Sequence, residues 1–190
     1  MRKDIEEALK KFNIGTFGNK KGIARVESQL WADERVIYIA PTNAVIHDVN
    51  TASKEKLPGI FALTNERVLF SYKAGFSEKT ETFELSEIKN VDSFGNGISG
   101  GHVKIDTMIK SLELLVTYKK DVMKQIQDLI VRTLHDSKNA NGKDDSLEQI
   151  EKLHDLLEKG IVTQEEFETK KKRLMVRDTD IGKKILEQIY

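Results

Sequence analysis

Residues 95–100 read GNGISG, a G-x-G-x-x-G pattern that in nucleotide-binding proteins brings backbone N–H groups against phosphate. In a dinucleotide site this loop follows a strand and opens a helix, whose N-terminus holds the pyrophosphate. Here the pattern is followed by HVKID, which alternates like a strand. A kinase-type glycine loop does join strands, but it needs a downstream catalytic loop that is not recognisable in this chain. We therefore expect a glycine-rich loop between two strands and no bound nucleotide.

The other polar groups do not form a catalytic or metal-binding pattern. None of the four histidines has a second ligand at a spacing typical of a metal site: His47, His102, His135 and His154. The paired carboxylates at 144–145 and 165–166 fall at predicted helix starts, where acidic groups complement the helix dipole. We predict a protein that is not an enzyme and that uses no metal or cofactor.

One basic run, KKKR at 170–173, has the chemistry to contact phosphate of nucleic acid or of lipid headgroups. However, Glu166 lies four residues before Lys170, and Glu168 lies four residues before Lys172. This spacing gives stabilising ion pairs along one face of a helix. The run is therefore predicted to be a solvated helix face.

Composition indicates a folded, cytoplasmic protein. The chain has 190 residues, of which 38% are hydrophobic, and its 31 basic and 31 acidic residues give zero formal net charge. Because no charge imbalance steers it, we expect no nucleic-acid partner and weak membrane binding, although a local patch is not excluded. The absence of cysteine excludes disulfides and thiolate sites. The charged N-terminus lacks the apolar segment of a signal peptide.

Hydrophobic periodicity divides the chain into a helical start, a β-rich middle and a helical end. Residues 1–19 are predicted to hold one amphipathic helix, and a second helix starts near Lys20. Short apolar runs from Val36 onward, with Pro41 ending the first of them, predict an antiparallel sandwich or barrel. A helix at 119–134 carries a wide apolar stripe that should pack on the sheet. The predicted fold class is α+β.

The C-terminal part is predicted to be a polar linker at 135–143, a helical hairpin at 144–177 and a last helix at 178–190. As a flexible coil, the linker would span roughly 15–20 Å. Gly160 is placed to end the first hairpin helix, and Thr163 with Glu166 forms a capping box for the second. The predicted interaction residues are the apolar positions of the two helices: Leu147, Ile150, Leu153, Leu157, Phe167 and Leu174.

Two stretches resemble known families. The segment from Leu153 to Leu174, with KGIVTQEEF at its centre, resembles the SHOCT (short C-terminal) domain; Val162 stands where isoleucine is usual. The segment LTNERVLFSY at 63–72, with the later phrase FELSEIKNV, resembles bacterial PH-like domains of the YokE-like kind over residues 20–134. The resemblances imply a bent antiparallel sheet or barrel capped by a C-terminal helix, no catalytic residues, and a bacterial or phage origin.

These observations predict a non-catalytic binding or assembly protein. The PH-like domain would be the interaction surface, and the SHOCT tail would oligomerise or dock a protein partner. A hairpin of this size buries little apolar surface by itself, so its apolar positions need a cover. The PH-like domain of the same chain, another protein or a second copy of the hairpin could cover them, and a homo-oligomer is the simplest expectation. The alternative is a peripheral membrane or lipid-headgroup binding protein, by analogy of fold alone.

Overall fold

The computed structural model describes residues 1–48, 56–96, 100–116 and 120–177, with side chains left undescribed at 96, 120, 140–148 and 174–177. The chain divides into two compact units, Met1–Leu134 and His135–Tyr190. This division falls at the end of the predicted PH-like segment. Each unit is described by itself below.

The first unit contains two short helices and one seven-stranded sheet. Its elements in chain order are α1 (Lys3–Lys11), α2 (Lys20–Glu27), β1 (Val36–Asp48), β2 (Leu57–Thr64), β3 (Arg67–Ala74), β4 (Ser77–Glu84), a 3₁₀ turn (Leu85–Glu87), β5 (Asn90–Asn96), β6 (Gly100–Asp106) and β7 (Lys110–Val116). Every strand pair is antiparallel, and the strand order is β4-β3-β2-β1-β7-β6-β5. The predicted α+β class with a bent antiparallel sheet is confirmed.

The long strand β1 joins the two halves of the sheet. Its first part pairs with β2 from Val36 to Ala44, and its last part pairs with β7 from Asn43 to Asp48. The prediction that Pro41 ends a strand was wrong, because β1 continues through it. At Pro41 the strand has a ladder partner in β2 but not yet in β7, and proline is tolerated where a strand is paired on one side only.

The main core fills the space between the two halves of the bent sheet and helix α3 (Lys120–Glu158). Its buried side chains include Phe61 and Phe70 from one half, and Ile105 and Leu112 from the other. Helix α3 adds a stripe of apolar residues that includes Ile126 and Ile130, as its periodicity predicts. The helix therefore packs against the concave side of the sheet in the first unit.

A second core lies on the opposite face of β1, β2 and β3, where α1 and α2 pack. It contains Ile5 and Leu9 of α1, Ile23 and Val26 of α2, and strand residues such as Leu69. Strand β3 is consequently buried on both faces from Arg67 to Tyr72. This explains why Val68, Leu69 and Phe70 are consecutive apolar residues rather than alternating with polar ones.

Helix α3 extends much further than the sequence predicts. It was expected to end near 134, yet it runs as one helix of 39 residues to Glu158, so residues 135–143 are helical rather than a flexible coil. The stretch contains no proline, and its Asn, Asp, Ser and Gly residues each disfavour a helix by about 1 kcal/mol or less. A helix already formed on both sides can extend through such residues, because nucleation is the costly step.

The second unit contains the helical hairpin. The end of α3 and α4 (Gln164–Arg177) are joined by a tight turn in which Gly160 has a φ of 68°. The N–H of Ile161 donates to the Leu156 carbonyl (2.9 Å), and the N–H of Gly160 donates to the Leu157 carbonyl (2.9 Å). This is the Schellman arrangement expected at a glycine stop. The predicted last helix, at 178–190, lies outside the described residues.

Candidate functional site

A buried polar cluster of the first unit surrounds Glu34, which is 0% exposed. Arg67 binds its carboxylate in a fork, with Nε 3.0 Å from Oε1 and Nη2 2.9 Å from Oε2. The Thr64 hydroxyl donates to Oε1 (2.8 Å), and the Trp31 N–H donates to Oε2 (3.0 Å). The Arg67 guanidinium also lies 4.0 Å from the centre of the Trp31 ring.

This cluster explains the Leu-Thr-x-x-Arg phrase at 63–67. Burial acts to raise the pKa of Glu34, but hydrogen bonds from Arg67, Trp31 and Thr64 outweigh it, so the pKa lies below its ordinary value. The carboxylate is therefore ionised and fully paired. Through Glu34, Thr64 and Arg67 link the β2–β3 turn to the segment after α2.

An open groove of about 840 Å³ lies beside β1 in the first unit. Its lining includes the apolar residues Ile60, Phe61 and Ile126 and the cationic residues Lys21, Arg25 and Lys73. Arg25 is held by Glu78 at 2.7 Å, which also lies 3.8 Å from Lys73 Nζ. The groove thus combines apolar and cationic walls, which suits an amphipathic or anionic partner rather than a neutral polar one.

Three exposed turns carry large apolar side chains. Phe17, in the α1–α2 turn, is 99% exposed, and Phe76, in the β3–β4 turn, is 111% exposed. Met108 and Ile109, in the β6–β7 turn, are also exposed. No sequence motif singles out Phe17, Met108 or Ile109, although the position of Phe17 between two glycines is a signal of a turn.

Two histidines that are distant in sequence contact the same carboxylate on the outer face of the sheet. Glu113 of β7 lies between them, with Oε2 3.3 Å from His47 Nε2 and Oε1 2.8 Å from His102 Nδ1. The Phe94 ring stacks on His102, with ring centres 5.0 Å apart. Sequence spacing could not reveal this row, because it is made by strand pairing. Across the described residues, no group of three or more His, Asp or Glu side chains is arranged to hold a metal ion.

The glycine-rich pattern lies where two antiparallel strands meet. Asn96 of β5 pairs with Gly100 of β6, and no helix begins after β6, whose partner β7 follows. Gly95 has a φ of 142°, and a Cβ there would lie 2.1 Å from the Gly100 carbonyl oxygen. These glycines therefore serve a close approach of the backbone. Gly97, Ile98 and Ser99 lie outside the described residues.

The hairpin forms the predicted caps. The Thr163 N–H donates to Glu166 Oε2 (2.9 Å), and the Glu166 N–H donates to Thr163 Oγ1 (3.3 Å). Hydrogen bonds from the Thr163 backbone and side chain hold the pKa of Glu166 below its ordinary value. Within the basic run, Lys171 lies over the Phe167 ring, 5.5 Å from its centre. These contacts are those of a helix start and a helix face.

The predicted interaction residues of the hairpin have different degrees of burial. Leu153 and Phe167 are buried, and the Phe167 ring meets His154 edge-on at 5.8 Å. Ile150 and Leu157 are half-buried, and the side chains of Leu147 and Leu174 lie outside the description. By contrast Leu156 is 36% exposed and Ile161 is 66% exposed. Neither Leu156 nor Ile161 is among the predicted interaction residues.

Comparison with known families follows the same division. A family profile described as "Bacterial PH domain" matches residues 30–132, more than half of the chain. The chain belongs to the bacterial PH domain family. A second profile, "Short C-terminal domain" (SHOCT), matches residues 148–175. The predicted bacterial PH domain followed by a SHOCT domain is confirmed.

Several solved structures resemble this bacterial PH protein at low identity. The Vps36 N-terminal PH domain has a TM-score of 0.44 and 14% identity, covering 56% of this chain and 83% of its own. The C-terminal domain of an unknown protein from Leishmania infantum has a TM-score of 0.44 and 14% identity, covering 60% and 99%. A pleckstrin homology domain from Shewanella amazonensis has a TM-score of 0.38 and 15% identity, covering 60% and 96%. None of the curated proteins matches this chain.

The combination of PH and SHOCT domains suggests a binding module, and both domains are generally non-catalytic. PH domains are typically interaction modules for protein or lipid partners. No helix among the described residues is both long enough and apolar enough to cross a membrane.

Proposed function

We propose that this protein is a non-catalytic binding and assembly module, in which the SHOCT hairpin associates with the hairpin of a second copy. The PH domain would then provide a separate interaction surface. The observation that carries the proposal is the apolar surface that the hairpin leaves open, namely Ile161 at 66% and Leu156 at 36% exposure. Pairing of several PH domains would raise the apparent affinity for a repeated partner through avidity.

The packing of the hairpin separates its core from its proposed contact surface. Leu153 and Phe167 are already buried, so they support the hairpin itself. Leu156 and Ile161 lie on either side of the turn and are joined by the 2.9 Å backbone bond of the Schellman motif. Ile150 and Leu157 are half-buried, and Leu147 and Leu174 remain predicted contact residues.

A second copy is the occupant that the size of the hairpin favours. Folded segments below about 40 residues rarely reach stability without a disulfide, metal or oligomeric partner. The chain contains no cysteine, and no metal-binding cluster occurs among the described residues, so a second copy is the source of stability that we propose. A two-fold dimer would place the same patch on both copies, so each Ile161 could meet an apolar side chain of its partner.

The test is the mass of the protein in solution. Light scattering over a concentration series should give a dimer or larger species for the full chain, and a monomer when it ends after Ser137. The double variant Leu156→Gln with Ile161→Gln should weaken association at least about tenfold, because the apolar surface of two side chains is no longer buried in the dimer. Thr169→Gln, which places the same side chain on an exposed site of α4, is the matched control.

Hydrogen exchange of the hairpin distinguishes the outcomes. The double variant should keep the protection of the Leu153 and Phe167 region while losing the dimer. A full chain that stays monomeric at high concentration, with Leu156 and Ile161 still exposed, would contradict the proposal. The alternative function, peripheral attachment to lipid, is favoured by a different observation in the first unit, the fully exposed Phe17 and Phe76.

A further inference from the structure

Two phenylalanine side chains in turns of the first unit are exposed to solvent. Phe17 is 99% exposed and Phe76 is 111% exposed, although phenylalanine is among the residues most often buried. Each lies at the tip of a turn beside a glycine with positive φ, Gly18 at 76° and Gly75 at 62°. Both rings therefore protrude from the protein surface and do not line a pocket.

The contacts of α2 place these two turns at the same end of the unit. Gln29, after the helix, meets Thr80 at 2.9 Å, and one turn earlier Arg25 meets Glu78 at 2.7 Å. Residues nearer the N-terminus of α2 therefore lie nearer the β3–β4 turn. Lys21 and Lys73 line the same groove, and Phe17 and Phe76 lie four and three residues away from them in sequence.

This end of the unit is locally basic in a chain of zero formal net charge. Within residues 17–25 and 73–79, Glu78 is the single carboxylate, and it is already shared by Arg25 and Lys73. The cationic side chains of these two segments are Lys20, Lys21, Arg25, Lys73 and Lys79, and all four lysines are exposed. A partner at this end is therefore expected to be anionic.

We propose that the α1–α2 and β3–β4 turns form a docking surface for an anionic phospholipid bilayer. Phe17 and Phe76 insert at the boundary between headgroups and acyl chains, and Lys20, Lys21 and Lys73 meet lipid phosphates. Protruding rings suit a soft, flat apolar layer, whereas a folded protein partner would need matching pockets for both. Lysine stems can lie along the apolar layer while their ammonium groups remain among the phosphates.

This inference goes beyond the proposed assembly function and does not depend on it. Phe17, Lys20 and Lys21 also lie outside residues 30–132, the part that matches the bacterial PH profile. Part of the surface is therefore formed by residues outside the region that matches the family. It also revises the expectation from composition, because charge balance over the whole chain conceals a local excess.

Vesicle cosedimentation of the full chain tests the proposal. Vesicles of phosphatidylglycerol mixed with phosphatidylcholine should bind the protein, pure phosphatidylcholine should not, and binding should fall as salt rises. The variant Phe17→Ser with Phe76→Ser should lower binding about tenfold or more, and Lys20→Gln with Lys21→Gln and Lys73→Gln should do the same. Phe94→Ser removes a ring from the outer face of β5 and should leave binding unchanged.

Fluorescence provides a readout that does not rely on loss of binding. In a Trp31→Phe background, Phe76→Trp should shift its emission to the blue on anionic vesicles and be quenched by brominated acyl chains. Absence of sedimentation with anionic vesicles would overturn the proposal, as would binding that survives the removal of both rings. Binding of single-stranded nucleic acid, lost in the double Phe variant and without vesicle binding, would assign the surface to that polymer instead.

Discussion

Replacement of Glu34 by glutamine should destabilise the first unit strongly. The Glu34 carboxylate is 0% exposed and accepts four hydrogen bonds, two of them from Arg67. In Glu34→Gln, an NH₂ group would face one of these donors, and the Arg67 guanidinium would lose its counter-charge. Removing one partner of a buried ion pair costs about 3–5 kcal/mol.

The lower end of this range is expected here. Arg67 keeps its bond to the Gln29 carbonyl (2.8 Å) and its contact with the Trp31 ring, so its charge is not left bare. A loss of about 3 kcal/mol corresponds to a fall in Tm of roughly 6–12 °C for a chain of this size. The exposed pair Lys3–Glu7, at 3.8 Å, is the matched control, and Glu7→Gln should change stability by less than about 0.5 kcal/mol.

Trp31 fluorescence during urea unfolding is the assay. It is the single tryptophan of the chain and lies 4.0 Å from the Arg67 guanidinium, so its emission reports on this cluster. The pKa of Glu34 is lowered below its ordinary value of 4.5 in the folded protein. Its contribution is therefore fully present above the unfolded pKa and lost as pH falls through the folded pKa. The gap between wild type and Glu34→Gln should narrow in that acidic range.

A Glu34→Gln protein as stable as Glu7→Gln at neutral pH would refute the reasoning, because it would mean that the pair is effectively solvated. A gap that stays constant through the acidic range would show that the loss comes from packing rather than from charge.

Three further predictions concern the architecture. Gly22→Ala should not give the usual gain in stability of about 1 kcal/mol for removing a glycine from a helix, because the new Cβ would lie 2.7 Å from Ile60 Cγ1. Thermal unfolding that shows the full gain would contradict this close approach of α2 to β2. Ile130→Ala, at a fully buried site of α3, should lower the free energy of unfolding in urea by about 2–5 kcal/mol. Val131→Ala, at the exposed neighbouring site, should lower it by less than about 0.5 kcal/mol. Equal effects would mean that α3 does not cover the sheet. A chain ending after Ser137 should unfold cooperatively, because the contacts of the first unit are complete by Leu134; a molten or insoluble product would place the boundary elsewhere.

Local signals in the sequence predicted the turns and caps of the hairpin correctly. Gly160 adopts the left-handed conformation at the helix end, and Thr163 with Glu166 forms the reciprocal cap. The apolar stripe of α3 identified the side that packs on the sheet, including Ile126 and Ile130. These signals work because the interacting groups lie within about one helical turn of each other.

Composition was less informative about the segment at 135–143 and about Pro41. The sequence predicts a break in secondary structure at each of them, but the helix continues through 135–143 and the strand continues through Pro41. Weak helix formers are overridden when helix extends from both sides, and a proline is accepted where one edge of a strand has no ladder partner. Neither condition can be seen without knowing what the neighbouring residues do.

By itself, the sequence determined the α+β class, the β-rich middle apart from the break expected at Pro41, the hairpin caps and the two families, since these depend on periodicity and short motifs. Tertiary structure decided which distant residues meet. Arg67 contacts Glu34, which lies 33 positions away in the sequence, and Glu113 contacts His47, which lies 66 positions away. It also decided that α1 and α2 cover one face of β3 and that Phe17 and Phe76 are exposed. These features depend on strand register and helix docking, which are set by packing between segments far apart in the chain rather than by any local pattern.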